Sequence, residues 1–177
     1  MKQIAFVSDW ELFGVDELAA TPPRRAVLSV LLDNDGKVAL FQTKREGEAG
    51  TFYQLPAGEL TPGANAEVAC PHIIHGRAGV PCTVAANLGV IIENRALNAF
   101  TQINYCFLTH LSGEKWRPDL SDSEKASGTR LEWLPLSEVI ALLETDREDY
   151  NEKYVHYRDA ALAKEVFQYL LDEKNAE

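Results

Sequence analysis

Cysteine is scarce: Cys70, Cys82 and Cys106 are the whole complement of 177 residues. An odd number in a chain of this size excludes a disulfide framework as the source of stability, and predicts reduced thiols in a cytoplasmic setting. Long apolar runs are missing too. None approaches the ~18 residues that a membrane helix needs, so no membrane partner is expected. The opening "MKQIAFVSDWELFG" interrupts its apolar run at Asp9 and Glu11, and so reads as neither a signal nor a transit peptide. Positive charge is also short, with 17 basic against 27 acidic residues and a net charge of -10. Such a surface repels phosphate backbones, so no nucleic-acid partner is expected. The chain lacks internal repeats, low-complexity tracts and Pro/Gly/Ser linkers. With 46% hydrophobic residues it can fill one ordinary core, which predicts a single domain over residues 1–177. No Ser-His-Asp order and no phosphate-cradling Gly-rich motif is present.

What is there reads as alternating strands and helices. "RRAVLSVLLDNDGKVALFQTKR" holds two strand-like runs around "DNDG", a hairpin signal because Asn, Asp and Gly tolerate positive φ. "REGEAGTFY" is a polar loop leading to a short strand at "YQLP". Residues 64–78 read as a helix. "TVAANLGVIIEN" and "NAFTQINYCFLTHL" read as long strands, rich in branched and aromatic residues. "SGEKWRPDLSDSEKASGT" is a long polar loop before a further strand at "RLEWLPL". Ser137 is the expected N-cap of a helix over "EVIALLET". Apolar spacing of three and four over "YVHYRDAALAKEVFQYLLDEK" predicts a C-terminal amphipathic helix. Together these predict an α/β (α+β) fold, a mixed β-sheet packed between α-helices.

The informative stretch is "LPAGELTPGANAEVACPHIIHGRAGV", residues 55–80: a Gly-containing loop, a helix and a closing Gly-aliphatic pair. With the flanking hairpin, the later long strands and "EWLPL" before a helix, it resembles the Nudix (MutT-like) hydrolase superfamily over residues 24–172. That family's signature box is G, five residues, E, seven residues, then REUxEExGU, where U is a bulky aliphatic residue. Anchored on Gly58, the spacing is followed without a gap. Gly58, Ile74, Gly79 and Val80 keep the family's residue types. Ala64, His72, Ile73, Gly76 and Arg77 stand where the family has Glu, Arg, Glu, Glu and Glu. The frame survives, and every ionic position has been replaced by another residue type.

The resemblance implies cleavage of a diphosphate bond by water activated on Mg²⁺ or Mn²⁺. Hard cations need anionic oxygen ligands. At ~100° per residue, positions 73, 76 and 77 share one helix face. Here that face offers an aliphatic chain, a hydrogen and a guanidinium, and the guanidinium repels a divalent cation. Glu67 lies too far back along the helix to replace the lost pair and reads as a solvated acid near the helix N-terminus. Glu59 beside Gly58, Glu93 in "IIENR", and Asp122 or Glu124 in the long loop are the displaced acids that a working hydrolase would need. Of these, Glu124 best matches the extra loop acid of the family. Pro71 removes a backbone hydrogen bond inside the helix and predicts a kink or a restart there.

A zinc reading of "CPHIIHGRAGVPC" would use Cys70, His72, His75 and Cys82. His72 and His75 share a face, but the spacing matches no familiar zinc module. Lys44, Arg45, Tyr53, Arg77 and Arg95 are candidates for a cationic, partly aromatic pocket, since guanidinium groups meet phosphate oxygens directly. Three functions follow. The favoured one is a Nudix domain with a degenerate box that binds a nucleotide or other diphosphate ligand, or a protein partner, and needs no cofactor. The second is a hydrolase using the displaced acids with Mg or Mn. The third is a structural or homodimerisation domain without a small ligand.

Overall fold

The computed structural model describes residues 1–47 and 50–176, so part of the polar loop expected before "YQLP" lies outside the described residues. The elements in chain order are β1 (Gln3–Ser8), α1 (Asp9–Phe13), β2 (Arg24–Leu32), β3 (Lys37–Lys44), β4 (Thr51–Gln54), β5 (Ala57–Glu59), α2 (Ala66–Ala78), β6 (Cys82–Arg95), β7 (Phe100–Leu111), α3 (Asp122–Ala126), β8 (Arg130–Pro135), α4 (Leu136–Leu143) and α5 (Tyr150–Ala176). The expected mixed sheet between helices is present. Its order is β1-β6-β7-β2-β3-β4, with β5 added to β2 and β8 to β3. β2 runs parallel to β7 and β1 parallel to β6, whereas β6 and β7 are antiparallel.

The "DNDG" turn forms as predicted, and Asp33 holds it. Its carboxylate accepts hydrogen bonds from the amides of Asp35 (3.0 Å) and Lys37 (2.8 Å) and from Lys115 Nζ (2.7 Å). Past the turn the two strands part. Only Leu32 pairs with Val38, β5 lies beside residues 26–28 of β2, and β8 lies beside β3.

The alternation of side chains along the strands splits the interior into two cores. On one face Leu28, Val30, Leu40, Ile91 and Leu108 pack against α4 and α5. On the other, Val27, Leu31, Ala39 and Phe107 pack against α2 through Ala66, Cys70, Ile74 and Ala78. That stripe recurs every four residues and locks α2 onto the sheet, offsetting the roughly 3 kcal/mol that a helix-interior proline costs. α2 accordingly runs as one helix with Pro71 inside it; the expected restart at Pro71 does not occur. Its first turn is capped by Asn65, whose side chain accepts from the Val68 amide.

Three further differences from the expectation stand out. The "EVIALLET" helix begins at Leu136 with Pro135 in the N-cap position, so Ser137 lies in the first turn and caps nothing. Strand β8 passes straight into α4, and the fixed φ of proline makes that junction. α3 forms inside the segment expected to be a polar loop, and β1 adds to the sheet edge. No helix among the described residues is long and apolar enough to cross a membrane.

Candidate functional site

The box frame has packing reasons of its own. Gly58 lies in β5 under α2, and a Cβ there would sit 2.5 Å from Cγ2 of Ile73. Only glycine fits, and the contact shows that position 73 faces the Gly58 strand. Gly79 ends α2 in the left-handed conformation at φ 72 and donates its amide to His75 O (2.8 Å). A side chain on Gly79 would also collide with the Arg117 carbonyl. The 112–121 loop closes over this helix end, and the Trp116 amide donates to Gly79 O (3.0 Å). Ile74 and Val80 are fully buried.

The replaced positions point to different surroundings. Ile73 is half-buried against the α2-side core, Gly76 is exposed with open space around it, and His72 and His75 are exposed. Arg77 is half-buried. Its guanidinium lies over the Phe41 ring (4.4 Å to the centroid), donates to the Asp119 carbonyl (2.9 Å) and forms an ion pair with Glu124.

Glu124 is thus brought to the box, as its place in the loop suggested. There it meets a guanidinium rather than a group of other carboxylates. Serine and glutamate at Ser121 and Glu124 also form the capping box of α3: the Ser121 amide donates to Glu124 (2.9 Å), and Ser121 Oγ accepts from the Glu124 amide (3.2 Å). Burial pushes the Glu124 carboxyl up, but the Ser121 amide and Arg77 outweigh it and hold it below the usual range. The S-x-x-E spacing at 121–124 was a readable signal for this short helix.

The other acids lie elsewhere. Glu59 is exposed, as is Asp122. Glu67 is exposed and accepts from Asn87 Nδ2 (3.3 Å). Glu93 is fully buried on the α5 side of the sheet, where it accepts from Arg95 (2.7 Å), Asn104 (2.8 Å), Gln102 (3.3 Å) and Arg158 (3.3 Å). Burial opposes its charge, but Arg158 and Arg95 more than compensate and hold the carboxyl below its ordinary value. Arg158 also binds Asp159 (2.7 Å), and Asp159 accepts from the Leu55 amide (2.7 Å) just before the "PAG" turn. Burial pushes the Asp159 carboxyl up.

The ligand-pocket candidates divide: Arg45, Tyr53 and Arg95 contact residues of α5, and Arg77 does not. Arg77 belongs to the α2 side. Arg95 lies between the Phe100 and Tyr154 rings, bonded to Glu93 and to Asn151 (2.9 Å). Arg45 pairs with Glu152 and lies over Phe52. The Tyr53 amide donates to His156 Nε2 (3.0 Å). Lys44 is exposed beside a shallow depression with Gln42, Thr51, Gly128 and Arg130. One basic residue that sequence reasoning missed does reach the box: Arg25 on β2 donates to the Ala64 carbonyl (3.1 Å) and to the Tyr105 hydroxyl (3.3 Å). Arg25 opens a strand, and nothing in its neighbours marks it out.

The donor set can be tested against a divalent metal. Among the described residues no three His, Cys, Asp or Glu side chains are grouped to hold a metal ion. The residues present do not fit the Mg²⁺ or Mn²⁺ of the family's reaction, because the acid delivered by the loop is already neutralised by Arg77. Zinc fares no better. Cys70 and Cys82 are buried with their thiols pushed up by that burial, Cys70 to about 12, while His72 and His75 face solvent.

No curated protein matches the chain. Solved structures do. A NUDIX hydrolase from Nitrosomonas europaea superposes with a TM-score of 0.58 at 20% identity, covering 85% of this chain and 90% of that one. An ADP compounds hydrolase gives 0.57 at 19% identity over 87% and 76%. A MutT NUDIX hydrolase from Burkholderia pseudomallei gives 0.52 at 22% identity over 78% and 98%. At these identities the likeness is one of fold. The NUDIX domain family model itself matches residues 22–157, which contain both frame glycines and every replaced box position, and the chain belongs to the Nudix family.

Proposed function

We propose that this Nudix domain binds a nucleotide or another diphosphate-bearing molecule at its box without hydrolysing it efficiently. The observation that carries this reading is the Arg77–Glu124 ion pair, which joins the box helix to the loop by a guanidinium. In the family's reaction a metal held by carboxylates supplies positive charge to the diphosphate. Here the positive charge is covalently part of the helix. A guanidinium can meet phosphate oxygens through two parallel N–H donors, so no bridging cation is required. Phe41 beneath Arg77 holds the fork in place and keeps one side of it dry. The pair with Glu124 is partly exposed, and such pairs are worth only about 0–1 kcal/mol, so a phosphate can take the place of the carboxylate. That a protein of the same fold is named an ADP compounds hydrolase supports the ligand class.

The test is a thermal-shift and calorimetric series with ADP, with and without Mg²⁺ or Mn²⁺. ADP stabilises the protein by mass action in the presence of chelator. Arg77→Ala weakens that binding, and Glu124→Gln strengthens it by releasing the guanidinium. A saturable Mg²⁺ or Mn²⁺ site that disappears on Ala substitution around residues 58–77, or metal-dependent turnover of ADP compounds, overturns the reading.

A further inference from the structure

One cavity among the described residues lies away from the box. It opens between the N-terminal β1–α1 unit, the loop after α4 and the first half of α5, with a volume of about 520 Å³. That is the size of a small-molecule site, which typically runs from ~300 to ~1,000 Å³. Its floor is apolar: Ile4, Leu12, Leu143, Ala160 and Ala161. Leu143 is almost fully buried, whereas Ala160 and Ala161 present only methyl groups and leave the space open.

Charge is set around this floor asymmetrically. Lys153, Tyr157, Ala160, Ala161 and Lys164 line the cavity from one stripe of α5, recurring at three- and four-residue spacing. The two lysines are thereby roughly 16 Å apart along the helix, one at each end of the apolar stretch. Each pairs with an acid of the opposite wall, Lys153 with Asp146 (3.1 Å) and Lys164 with Glu144. Of the acids, Asp146 lies outward, its side chain 83% exposed against 30% for Lys153, whereas Lys164 and Glu144 are exposed about equally. Arg147, which also lines the cavity, is only 6% exposed and is held by Glu152 and the Thr51 carbonyl. The inward-lying charges are therefore Arg147 and Lys153, and Asp146 stands at the rim where water weakens its hold.

We propose that this cavity is a second binding site, for a small monocarboxylate with an apolar body of about eight to ten carbons. The alkyl or aryl portion would cover the Ile4–Leu12–Leu143 floor, and the carboxylate would displace Asp146 from Lys153. The exchange costs little because the pair it breaks is exposed on its Asp146 side. The site lies on the α5 side of the sheet and uses none of the box residues.

Three probes share one apolar body and differ in head charge: octanoate, 1-octanol and octylammonium. In isothermal titration octanoate binds at one saturable site, about fivefold tighter than octanol, as expected for one partly exposed charge pair. Octylammonium binds most weakly. Lys153→Ala removes the fivefold advantage and leaves octanol unchanged. Ala161→Phe fills the floor and abolishes binding of all three, with circular dichroism confirming the fold. Should that variant unfold, amide chemical-shift mapping on the unaltered protein decides: octanoate perturbs residues 143–147 and 153–164. Absence of saturable binding, perturbation confined to other residues, or octylammonium binding as well as octanoate overturns the proposal.

Discussion

Two charged clusters lie on opposite sides of one sheet and are built by different rules. On the α5 side, Glu93, Arg95, Arg158 and Asp159 are sunk among Asn104, Gln102 and the Tyr154 ring, and two carboxylates are matched by two guanidinium groups. On the α2 side, Arg77 and Glu124 form one partly exposed pair at a loop. A chain with an excess of acids has not placed three of them together at either place. Glu93 has Arg95 and Arg158 beside it, Asp159 has Arg158, and Glu124 has Arg77. At both places the charges hold elements of the fold together.

The largest expected effect breaks the buried cluster. Arg158→Ala leaves Asp159 without its cation and Glu93 with Arg95 alone, and lowers stability by about 3–5 kcal/mol, whereas Arg77→Ala costs at most about 1 kcal/mol. Urea denaturation of both variants measures the contrast, and equal losses would erase it. Next in size is the frame. Gly58→Ala drives a methyl group into Ile73 and costs about 1–3 kcal/mol. Adding Ile73→Ala relieves the collision, so the double variant is more stable than the sum of the single changes predicts. Additive losses would mean that position 73 does not face Gly58.

The smallest effect is a pH slope. His156 is buried, its Nε2 accepts from the Tyr53 amide, and its Nδ1 lies 3.0 Å from the Thr145 carbonyl, an arrangement only the neutral ring satisfies. Burial chiefly lowers its pKa. The unfolded chain then takes up a proton before the folded one does. The stabilisation is complete above the ordinary histidine value of ~6.5 and is lost as pH falls through the lower folded value. Melting temperature followed from pH 8 downward shows this decline, and His156→Gln flattens it. An unchanged slope in the variant would move the effect to another group.

Much of this was legible in the sequence, for reasons that differ by residue. Gly58, Ile74, Gly79 and Val80 were readable because turn, close approach and burial each permit few residue types. Glu124 was placed correctly near the box, but its partner was not, since nothing local links residue 124 to residue 77. Of the two outcomes read from Pro71, the restart does not occur because intrinsic propensity was set against a buried stripe, and packing prevailed. The five basic and aromatic pocket candidates were grouped by type, yet Arg77 sits on the box helix while Arg45, Tyr53 and Arg95 contact residues of α5. α3 and α1 were missed although each carries a capping box, Ser121 with Glu124 and Ser8 with Glu11.

Strand β1 joins the sheet only through β6, with Gln3 opposite Val90 and Ser8 opposite Asn94. A ribosome makes β1 well before β6. At ~5–20 residues per second that delay is on the order of ten seconds, during which Val7, fully buried in the finished fold, has no core to enter. The strand's hydrogen-bonding edge is open for the same interval, and open edges recruit other strands. β1 is therefore exposed to chaperone capture and to mispairing during synthesis.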